Sequence, residues 1–476
     1  MDLPDPTALL ADAARVREVL DDAGFTAAAL DERLGVTART HLDRDELAPL
    51  LRRTAGGDAL DVLARLLVVG VGVELEDAER VGVPETWLVP DGYLVASPVR
   101  LQPVVHDGVE VLCAHDAGRA ATGVAREQVL GVGAASLTLA AATPRDAVHR
   151  TLDLGAGCGV QALLAEDHST EVVATDRNPR ATAYTALSAA LSGVEVATRT
   201  GDLLEPVAGD RFHLVVSNPP FVVGPASRYT YRDAGLDGDD VSRRLVQDLP
   251  AVLADGGTAV LLANWLHVDG EDGDERVRSW FAGTGCDGWV VQRELAAPED
   301  YVTAWLRDTD EGPRFDELYE PWVDWFADNR VEAVAFGVVA MRAGGRERVA
   351  LDVVDQPVAP SWGEQVALRF AALDLLERDL LGERLRLRDD VRLAESSRAA
   401  EGEWLPVAQR LVQESGLRWS GGVDLYGAAL LADCDGSRPL GDLVGVLAAA
   451  TGLGPGEAAE QVLPVVRRLV ERGFLV

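Results

Sequence analysis

The chain has 476 residues, of which 47% are hydrophobic, and a formal net charge of -34. This length is too great for one hydrophobic core, so two or three domains are expected. Every basic side chain other than His is Arg, since the sequence contains no Lys. The acidic balance argues against a broad electrostatic footprint on nucleic acid or anionic membrane, while a local Arg-lined site remains compatible with it.

The cysteines and the first residues indicate a reducing, cytoplasmic compartment. Cys113, Cys158, Cys286 and Cys434 are far apart and form no CxxC or Cys/His cluster, so we expect neither a disulfide framework nor a structural zinc site. The N-terminus is acidic and amphipathic, unlike a signal peptide. The longest apolar run, residues 63–75, is interrupted by glycines and is too short to span a membrane.

Residues 6–75 are predicted to form several short helices. One helical face collects apolar residues, namely Leu9, Leu10, Ala13, Val16 and Leu20. Residues 25–35 resemble the first helix and turn of a helix-turn-helix, and helices over residues 44–53 and 58–67 would complete a small helical or winged bundle. A helical cap without a nucleic-acid role is favoured, because acidic residues crowd these helices.

The pattern then changes to short strands over residues 87–116. Turn signals at residues 90–92 and 106–108 separate them, which predicts a small antiparallel sheet. Residues 131–145 follow, with glycines, hydroxyls and a helix-forming stretch. We expect this segment to lead into the next domain and to close over a cofactor.

Residues 151–224 alternate short apolar runs with helix-forming stretches, which is typical of a parallel sheet wound with helices. The strand at residues 151–154 runs into Gly155-Ala-Gly157-Cys-Gly159. Glycines are needed where a backbone turns tightly and approaches a ligand closely. A GxGxG pattern alone is weak evidence for a ligand-binding turn, because many other turns contain it.

Carboxylates at the ends of these strands narrow the choice of ligand. Asp176 ends the second strand, where an acid commonly accepts ribose hydroxyls, and Asp202 ends the third, where a carboxylate could accept an adenine amino proton. Asp153 precedes the first glycine, which a pyrophosphate binder would not need. This spacing suits a nucleoside held by its carboxylate or amino tail, its ribose and its base.

The fourth signal, Asn218-Pro219-Pro220-Phe221, is the most specific. It follows the apolar strand predicted at residues 212–216. Two prolines remove two N–H donors and leave carbonyls as acceptors. The amide oxygen of Asn218 and the carbonyl of Pro219 can together accept both protons of a planar NH2 group, and Phe221 offers a flat face to a π-system.

Together these motifs resemble class I S-adenosylmethionine-dependent methyltransferases, in the small-domain group with an (N/D)PP(F/Y) tetrad. That group includes release-factor glutamine methyltransferases and enzymes that modify exocyclic amines of adenine or guanine in RNA. The resemblance covers roughly residues 131–342. It implies S-adenosylmethionine as cofactor. The ribose would be held by Asp176 and the adenine by Asp202, and the methionine part by Asp153, Gly155, Gly157 and Gly159. Further cofactor contacts would come from Cys158, Asn178 and Leu203, and the target nitrogen would bind at Asn218, Pro219, Pro220 and Phe221.

The acceptor is expected to be a nucleobase in RNA, because the tetrad ends in Phe221 where the glutamine methyltransferases usually have Tyr. The alternatives are a protein glutamine, as in a translation-related protein, or a small-molecule amine. A scaffold that binds cofactor without turnover is the alternative from another class. In the next loop Tyr229, Tyr231 and Arg232 are predicted to clamp a planar substrate, unless they belong to an ordinary surface loop. No metal is required by this chemistry.

Residues 289–293 and 334–342 are predicted to be the last two strands, an antiparallel edge pair of a seven-stranded sheet. The aromatic-rich insertion between them carries Trp322, Trp325 and Phe326 at helical spacing. A packing face is favoured over a stacking platform there.

Residues 365–397 are predicted to be helical, with Arg and acidic residues interleaved in a solvated face. Residues 433–476 are predicted to form two helices and a short strand resembling a winged-helix module. The expected fold is therefore a doubly wound, Rossmann-like α/β domain with flanking units. The expected boundaries are 1–120 for a helical and small β domain, 121–345 for the methyltransferase domain and 346–476 for a helical, winged-helix-like domain.

Overall fold

The structure is a computed structural model that describes residues 5–44, 46–117, 127–225, 238–308, 315–400 and 402–476. Its N-terminal region is helical, as predicted. Gly35, with a φ of 88°, ends the helix that was predicted over residues 25–35. The short helices of this region are α1 (Pro6–Leu9), α2 (Ala13–Asp22), α3 (Ala27–Leu34), α4 (Ala38–Asp43), α5 (Leu47–Arg53), α6 (Ala59–Leu63) and α7 (Leu75–Val81), with a π-helical turn at Ala64–Val69 after α6.

Two antiparallel hairpins follow these helices. They are built from β1 (Val89–Asp91), β2 (Leu94–Ala96), β3 (Val99–His106) and β4 (Val109–Asp116). The antiparallel pairing is as predicted, but the strands form two separate two-stranded sheets rather than one. Pro98, which has no N–H to donate to a ladder, lies between the two hairpins.

The central sheet has the strand order β12-β10-β11-β9-β8-β5-β6-β7. Neighbouring strands are parallel, except that β11 runs antiparallel to both β9 and β10. This confirms the Rossmann-like fold. Its elements are α8 (Ala134–Ala142), β5 (Val148–Leu154), α9 (Val160–Ala165), β6 (Ser169–Asp176), α10 (Pro179–Ser192), β7 (Ala197–Thr200), β8 (Phe212–Ser217), α11 (Asp240–Asp248), β9 (Leu253–Val268), α12 (Gly273–Ser279), β10 (Cys286–Ala296), α13 (Pro298–Asp308), α14 (Phe315–Asp328), β11 (Val331–Ala343) and β12 (Val349–Val353).

The sheet has eight strands, so the predicted number of seven is wrong by one. The predicted antiparallel pair forms as β10 and β11, but β12 pairs in parallel with β10 and takes the edge. Buried Asp287 holds the chain that leads to β12, since its carboxylate accepts the backbone N–H groups of Arg346 at 2.9 Å and Arg348 at 3.1 Å. It also accepts the guanidinium of Arg342 at 2.8 Å. The sheet therefore continues past residue 345.

Both faces of the sheet are buried, and β8 shows the alternation. Leu214 and Val216 lie in an apolar cluster with Phe370, whereas Val215 between them lies in the cluster on the other face. Such two-sided burial is what a parallel sheet between helices requires.

The N-terminal region packs on α9 and α10 through a further shared apolar cluster. Hydrogen bonds reinforce this contact. Ala114 and Leu112 of β4 donate their backbone N–H groups to Ser188 Oγ at 2.8 Å and to Ser192 Oγ at 2.9 Å on α10.

The C-terminal part departs from its prediction over residues 365–397. The first helix of this part ends at Leu375, and residues 391–400 pair with a second strand in an antiparallel hairpin. Tertiary pairing overrides the local pattern of interleaved charges, which by itself does not distinguish a helix from a strand. The elements are α15 (Glu364–Leu375), β13 (Val391–Ala400), β14 (Glu403–Gln413), β15 (Ser420–Val423), α16 (Leu425–Ala432), α17 (Leu440–Thr451) and α18 (Pro455–Glu471).

The two helices predicted near the C-terminus are confirmed as α17 and α18. Leu475 forms an isolated antiparallel bridge with Leu387 rather than a full strand. The winged-helix likeness of this part stays a prediction. Across the described ranges, no helix is long and apolar enough to cross a membrane.

Candidate active site

The glycine turn follows β5 at the carboxyl edge of the sheet. Gly155, Gly157 and Gly159 have φ values of 79°, 57° and 88°, a region that favours glycine. A Cβ at Gly159 would lie 2.8 Å from Cγ2 of Thr185, so packing excludes a side chain there. A Cβ at Gly155 or Gly157 would meet no atom of the described residues within 4 Å. The turn is thus tight on its helix side and open beside its first two glycines, as close approach by a ligand requires.

Asp176 connects the glycine turn to the next strand end. Its Oδ2 accepts the N–H of Gly157 at 3.0 Å, and its Oδ1 accepts the N–H of Asn178 at 2.8 Å. Burial raises the pKa of Asp176 above its ordinary value, and these two hydrogen bonds oppose the rise. Each carboxylate oxygen can accept more than one hydrogen bond, so the group remains able to bind a vicinal diol.

Asp153 is buried beneath the turn, with 1% of its surface exposed. Its Oδ2 accepts the N–H of Ala162 in α9 at 3.0 Å. Burial raises the pKa of Asp153 to about 7, with a further contribution from the negative charge of Asp176. Cys158 is also buried, with 6% of its surface exposed. These two predicted cofactor residues therefore support the turn from within.

Asn178 begins α10. Its Oδ1 accepts the N–H of Arg180 at 3.0 Å, while its Nδ2 donates to the carbonyl of Glu127 at 2.9 Å. It thereby ties the chain that precedes α8 to the end of β6.

Asp202 and Leu203 lie exposed in the turn after β7. The N–H of Gly201 donates to the carbonyl of Asp176 at 3.0 Å, which places this turn beside the end of β6. Leu203 has a φ of 44° and is 43% exposed. An exposed apolar side chain on a left-handed backbone is unusual, and here it borders the predicted adenine position.

The tetrad begins level with the glycine turn. Leu154, the last residue of β5, pairs with Ser217, the last residue of β8, and Ser217 Oγ donates to the carbonyl of Leu154 at 2.8 Å. Asn218 follows at once. Its Nδ2 donates to Ser136 Oγ of α8 at 3.3 Å, which brings the segment predicted at residues 131–145 against the tetrad.

Phe221 is more enclosed than its predicted stacking role suggests. It is 7% exposed, and its ring packs against Trp305, with centroids 6.2 Å apart, and Phe336, with centroids 5.6 Å apart. Pro219 is buried and Pro220 partly so. The ring holds the tetrad on an apolar cluster, and its stacking on an acceptor stays a prediction.

We call residues 218–224 the tetrad segment. Three residues to which the sequence analysis gave no role at the site contact this segment. They are Ser136, Tyr301 and Trp322; the last two bind the backbone of Val223. The aromatic insertion was predicted as a packing face, which is confirmed, but its contact with the tetrad had no local signal. The predicted substrate residues Tyr229, Tyr231 and Arg232 lie outside the described residues.

Three stretches of the chain match known sequence families. Residues 123–267 match the methyltransferase small domain, and residues 22–97 and 365–476 match two domains of unknown function. The first of these matches confirms the predicted resemblance for the central segment, residues 123–267.

Similarity to characterised proteins is confined to part of each. Release factor glutamine methyltransferase of Deinococcus radiodurans is 39% identical over 169 residues, covering 33% of this chain and 57% of that protein. Ribosomal protein uL3 glutamine methyltransferase of Bradyrhizobium diazoefficiens is 30% identical, covering 31% and 52%. Ribosomal RNA small subunit methyltransferase C of Alcanivorax borkumensis is 31% identical, covering 24% and 32%. The chain thus spans about half, or less, of the length of these relatives.

Proposed function

We propose that this chain is an N-methyltransferase that transfers a methyl group from S-adenosylmethionine to a planar NH2 group of a macromolecule used in translation. One observation carries the proposal. Leu154 and Ser217, the last residues of two adjacent parallel strands, are paired with each other. The open glycine turn begins directly after Leu154, and the tetrad begins directly after Ser217. A donor on the turn and an acceptor on the tetrad would therefore be neighbours, and proximity of this kind lowers the barrier to transfer.

The residues of the turn fit S-adenosylmethionine, which when bound supplies an electrophilic methyl group. The space beside Gly155 and Gly157 admits a ligand to the backbone. Asp176 retains capacity for two ribose hydroxyls, and the exposed turn at Asp202 and Leu203 lies next to it. Asp153 would support this site from beneath the turn, through its hydrogen bond to the N–H of Ala162.

The tetrad would orient the acceptor nitrogen that receives the methyl group. The lone pair of an amide or aniline-like nitrogen is delocalised into its π-system, so it attacks poorly. By accepting both N–H protons, the oxygens of Asn218 and Pro219 would orient the group so that the lone pair points at the methyl carbon. The nitrogen would bond to the methyl carbon as the bond between that carbon and the cofactor's sulfur breaks, which leaves a neutral thioether. The methylated nitrogen would then release one proton to water, so this step requires neither a strong base nor a metal.

A protein glutamine is the first candidate acceptor. Two of the relatives described above are named as glutamine methyltransferases, including the one at 39% identity. The net charge of -34 also favours a protein over the phosphate backbone of RNA.

An exocyclic amine in RNA is the second candidate. It is supported by Phe at position 221 and by the similarity to a ribosomal RNA methyltransferase. A local Arg-lined site would then have to offset the overall charge, and activity would fall steeply with salt.

Label transfer tests the function and separates these candidates. The full chain is incubated with tritiated S-adenosylmethionine and, in separate reactions, purified release factor, ribosomal proteins or ribosomal RNA. We expect label that protease releases and nuclease does not, and acid hydrolysis should free labelled methylamine. Label released by nuclease would establish the second candidate. Cofactor binding without any label would favour a scaffold, and absence of binding would refute the proposal.

A further inference from the structure

The backbone of Val223, two residues after the tetrad, is held at both of its polar groups. Its N–H donates to the hydroxyl of Tyr301 at 2.8 Å, and its carbonyl accepts Nε1–H of Trp322 at 3.1 Å. Val223 is fully buried. Tyr301 lies on α13 and Trp322 on α14, the helix pair inserted between β10 and β11. We call α13 and α14 the aromatic helix pair.

Tyr301 is itself fixed to the sheet. Its hydroxyl also accepts Nδ2–H of Asn264 at 2.8 Å, and Asn264 on β9 pairs in register with Phe336 on β11. Burial raises the pKa of Tyr301, so the hydroxyl stays neutral. One hydroxyl oxygen therefore joins the chain after the tetrad to β9, the strand that pairs with β11.

Packing makes the same connection. Phe221 of the tetrad lies against Trp305 of α13, and Trp305 lies against Tyr301 with ring centroids 5.9 Å apart. A Cβ at Gly224 would lie 2.5 Å from Nε1 of Trp322, so the residue after Val223 must be small for the indole to sit there. The tetrad segment and the aromatic helix pair are thus fitted to each other over several residues.

We infer that the aromatic helix pair positions the acceptor side of the active site, with Tyr301 and Trp322 as positioning residues that fix the tetrad through Val223. The inference rests on the proposed function for its effect on catalysis. The helix pair lies beyond residues 123–267, the segment that matches the methyltransferase small domain. The acceptor half of the site is therefore completed by an element outside the matched segment.

Two substitutions remove one hydrogen-bonding group each. Tyr301→Phe deletes the oxygen that accepts two N–H groups, and Trp322→Phe deletes the N–H that binds the Val223 carbonyl. Tyr319→Phe and Trp325→Phe on α14 are matched controls. Tyr319 stacks on Phe315 and Trp325 packs against Phe326, so these controls make the same chemical changes away from Val223.

Hydrogen exchange gives a readout that does not depend on activity. In Tyr301→Phe, the amide of Val223 should exchange about tenfold faster, as the loss of one buried hydrogen bond implies. Tyr319→Phe should leave it unchanged. Equal protection of Val223 in wild type and Tyr301→Phe would overturn the inference.

Kinetics with tritiated S-adenosylmethionine and an acceptor labelled by the wild type complete the test. We expect kcat to fall about tenfold or more in Tyr301→Phe and Trp322→Phe, because a misplaced tetrad no longer aligns the nitrogen. The KM for S-adenosylmethionine should not change. Unchanged kcat in both variants, or an equal loss in the controls, would overturn the inference. If the wild type transfers no label, the proposed function fails, while the exchange of Val223 still decides whether Tyr301 holds the loop.

Discussion

Asp176 and Asn218 both follow strands of one sheet, but the contacts that hold them come from different distances along the chain. Asp176 is fixed by the backbone N–H groups of Gly157 and Asn178, which lie 19 and 2 residues away along the chain. The tetrad segment is fixed by Ser136, Tyr301 and Trp322, at separations of 82, 78 and 99 residues. The cofactor side is thus a local unit, whereas the acceptor side is assembled from distant elements.

The largest expected effect is a loss of turnover when Asn218 of the tetrad is replaced. Asn218→Ala removes the amide oxygen that would accept one proton of the target NH2, so we expect turnover to fall by about 100-fold or more. Asn218→Asp keeps an acceptor in place and should retain partial activity. Initial rates of label transfer at saturating S-adenosylmethionine measure both. Equal rates for Asn218→Ala and wild type would show that transfer does not pass through the tetrad.

On the cofactor side, two glycines of the same turn should respond differently. Both Gly159→Ala and Gly155→Ala put a side chain at positive φ, but only at Gly159 does the Cβ meet Thr185. Gly159→Ala should therefore lower the free energy of unfolding by about 1 to 3 kcal/mol more than Gly155→Ala does. Gly155→Ala should instead weaken cofactor binding, because its Cβ projects into the open space. Urea unfolding and titration with cofactor measure the two effects, and equal stability losses would contradict this account of the turn.

A smaller effect concerns the pH dependence of stability. The pKa of Asp153 is raised by burial to about 7, whereas an unfolded Asp titrates near 3.9. Between these values the folded chain binds more protons than the unfolded chain, so this group makes stability fall as pH rises. Asp153→Asn is neutral, and its amide oxygen can still accept the N–H of Ala162.

From pH 5 to pH 8, wild type should therefore lose on the order of 1 to 3 kcal/mol more stability than Asp153→Asn. Denaturant unfolding without cofactor at the two pH values measures the difference. An identical pH dependence in the two proteins would show that Asp153 is ionised in the folded chain across this range.

The contrast between the two sides also explains what the sequence could predict. The glycine turn, Asp176 and the parallel strands that precede them follow from local patterns, since each strand end carries its own signal. The tetrad was recognisable as a motif, but the enclosure of Phe221 and the contact of Tyr301 with Val223 depend on chain folding back from residues 298–328. No local pattern records such a contact.

The same reasoning accounts for the errors in fold. Strand β12 joins the sheet because Asp287 binds the chain at Arg346 and Arg348, a contact across 59 and 61 residues. Residues 391–400 form a strand because β14 pairs with them. In both cases pairing with another segment decides the structure, while the local composition is compatible with other structures.

Isothermal titration of S-adenosylmethionine into wild type, Asp176→Ala and Asn218→Ala tests most directly whether the two sides of the site are separate. We expect wild type and Asn218→Ala to bind with the same Kd, because the tetrad contacts the acceptor side. Asp176→Ala should bind about tenfold or more weakly, since a charged acceptor of hydroxyl protons is worth roughly 1.5 to 3 kcal/mol. An unchanged Kd in Asp176→Ala, or an equal loss in Asn218→Ala, would contradict this account.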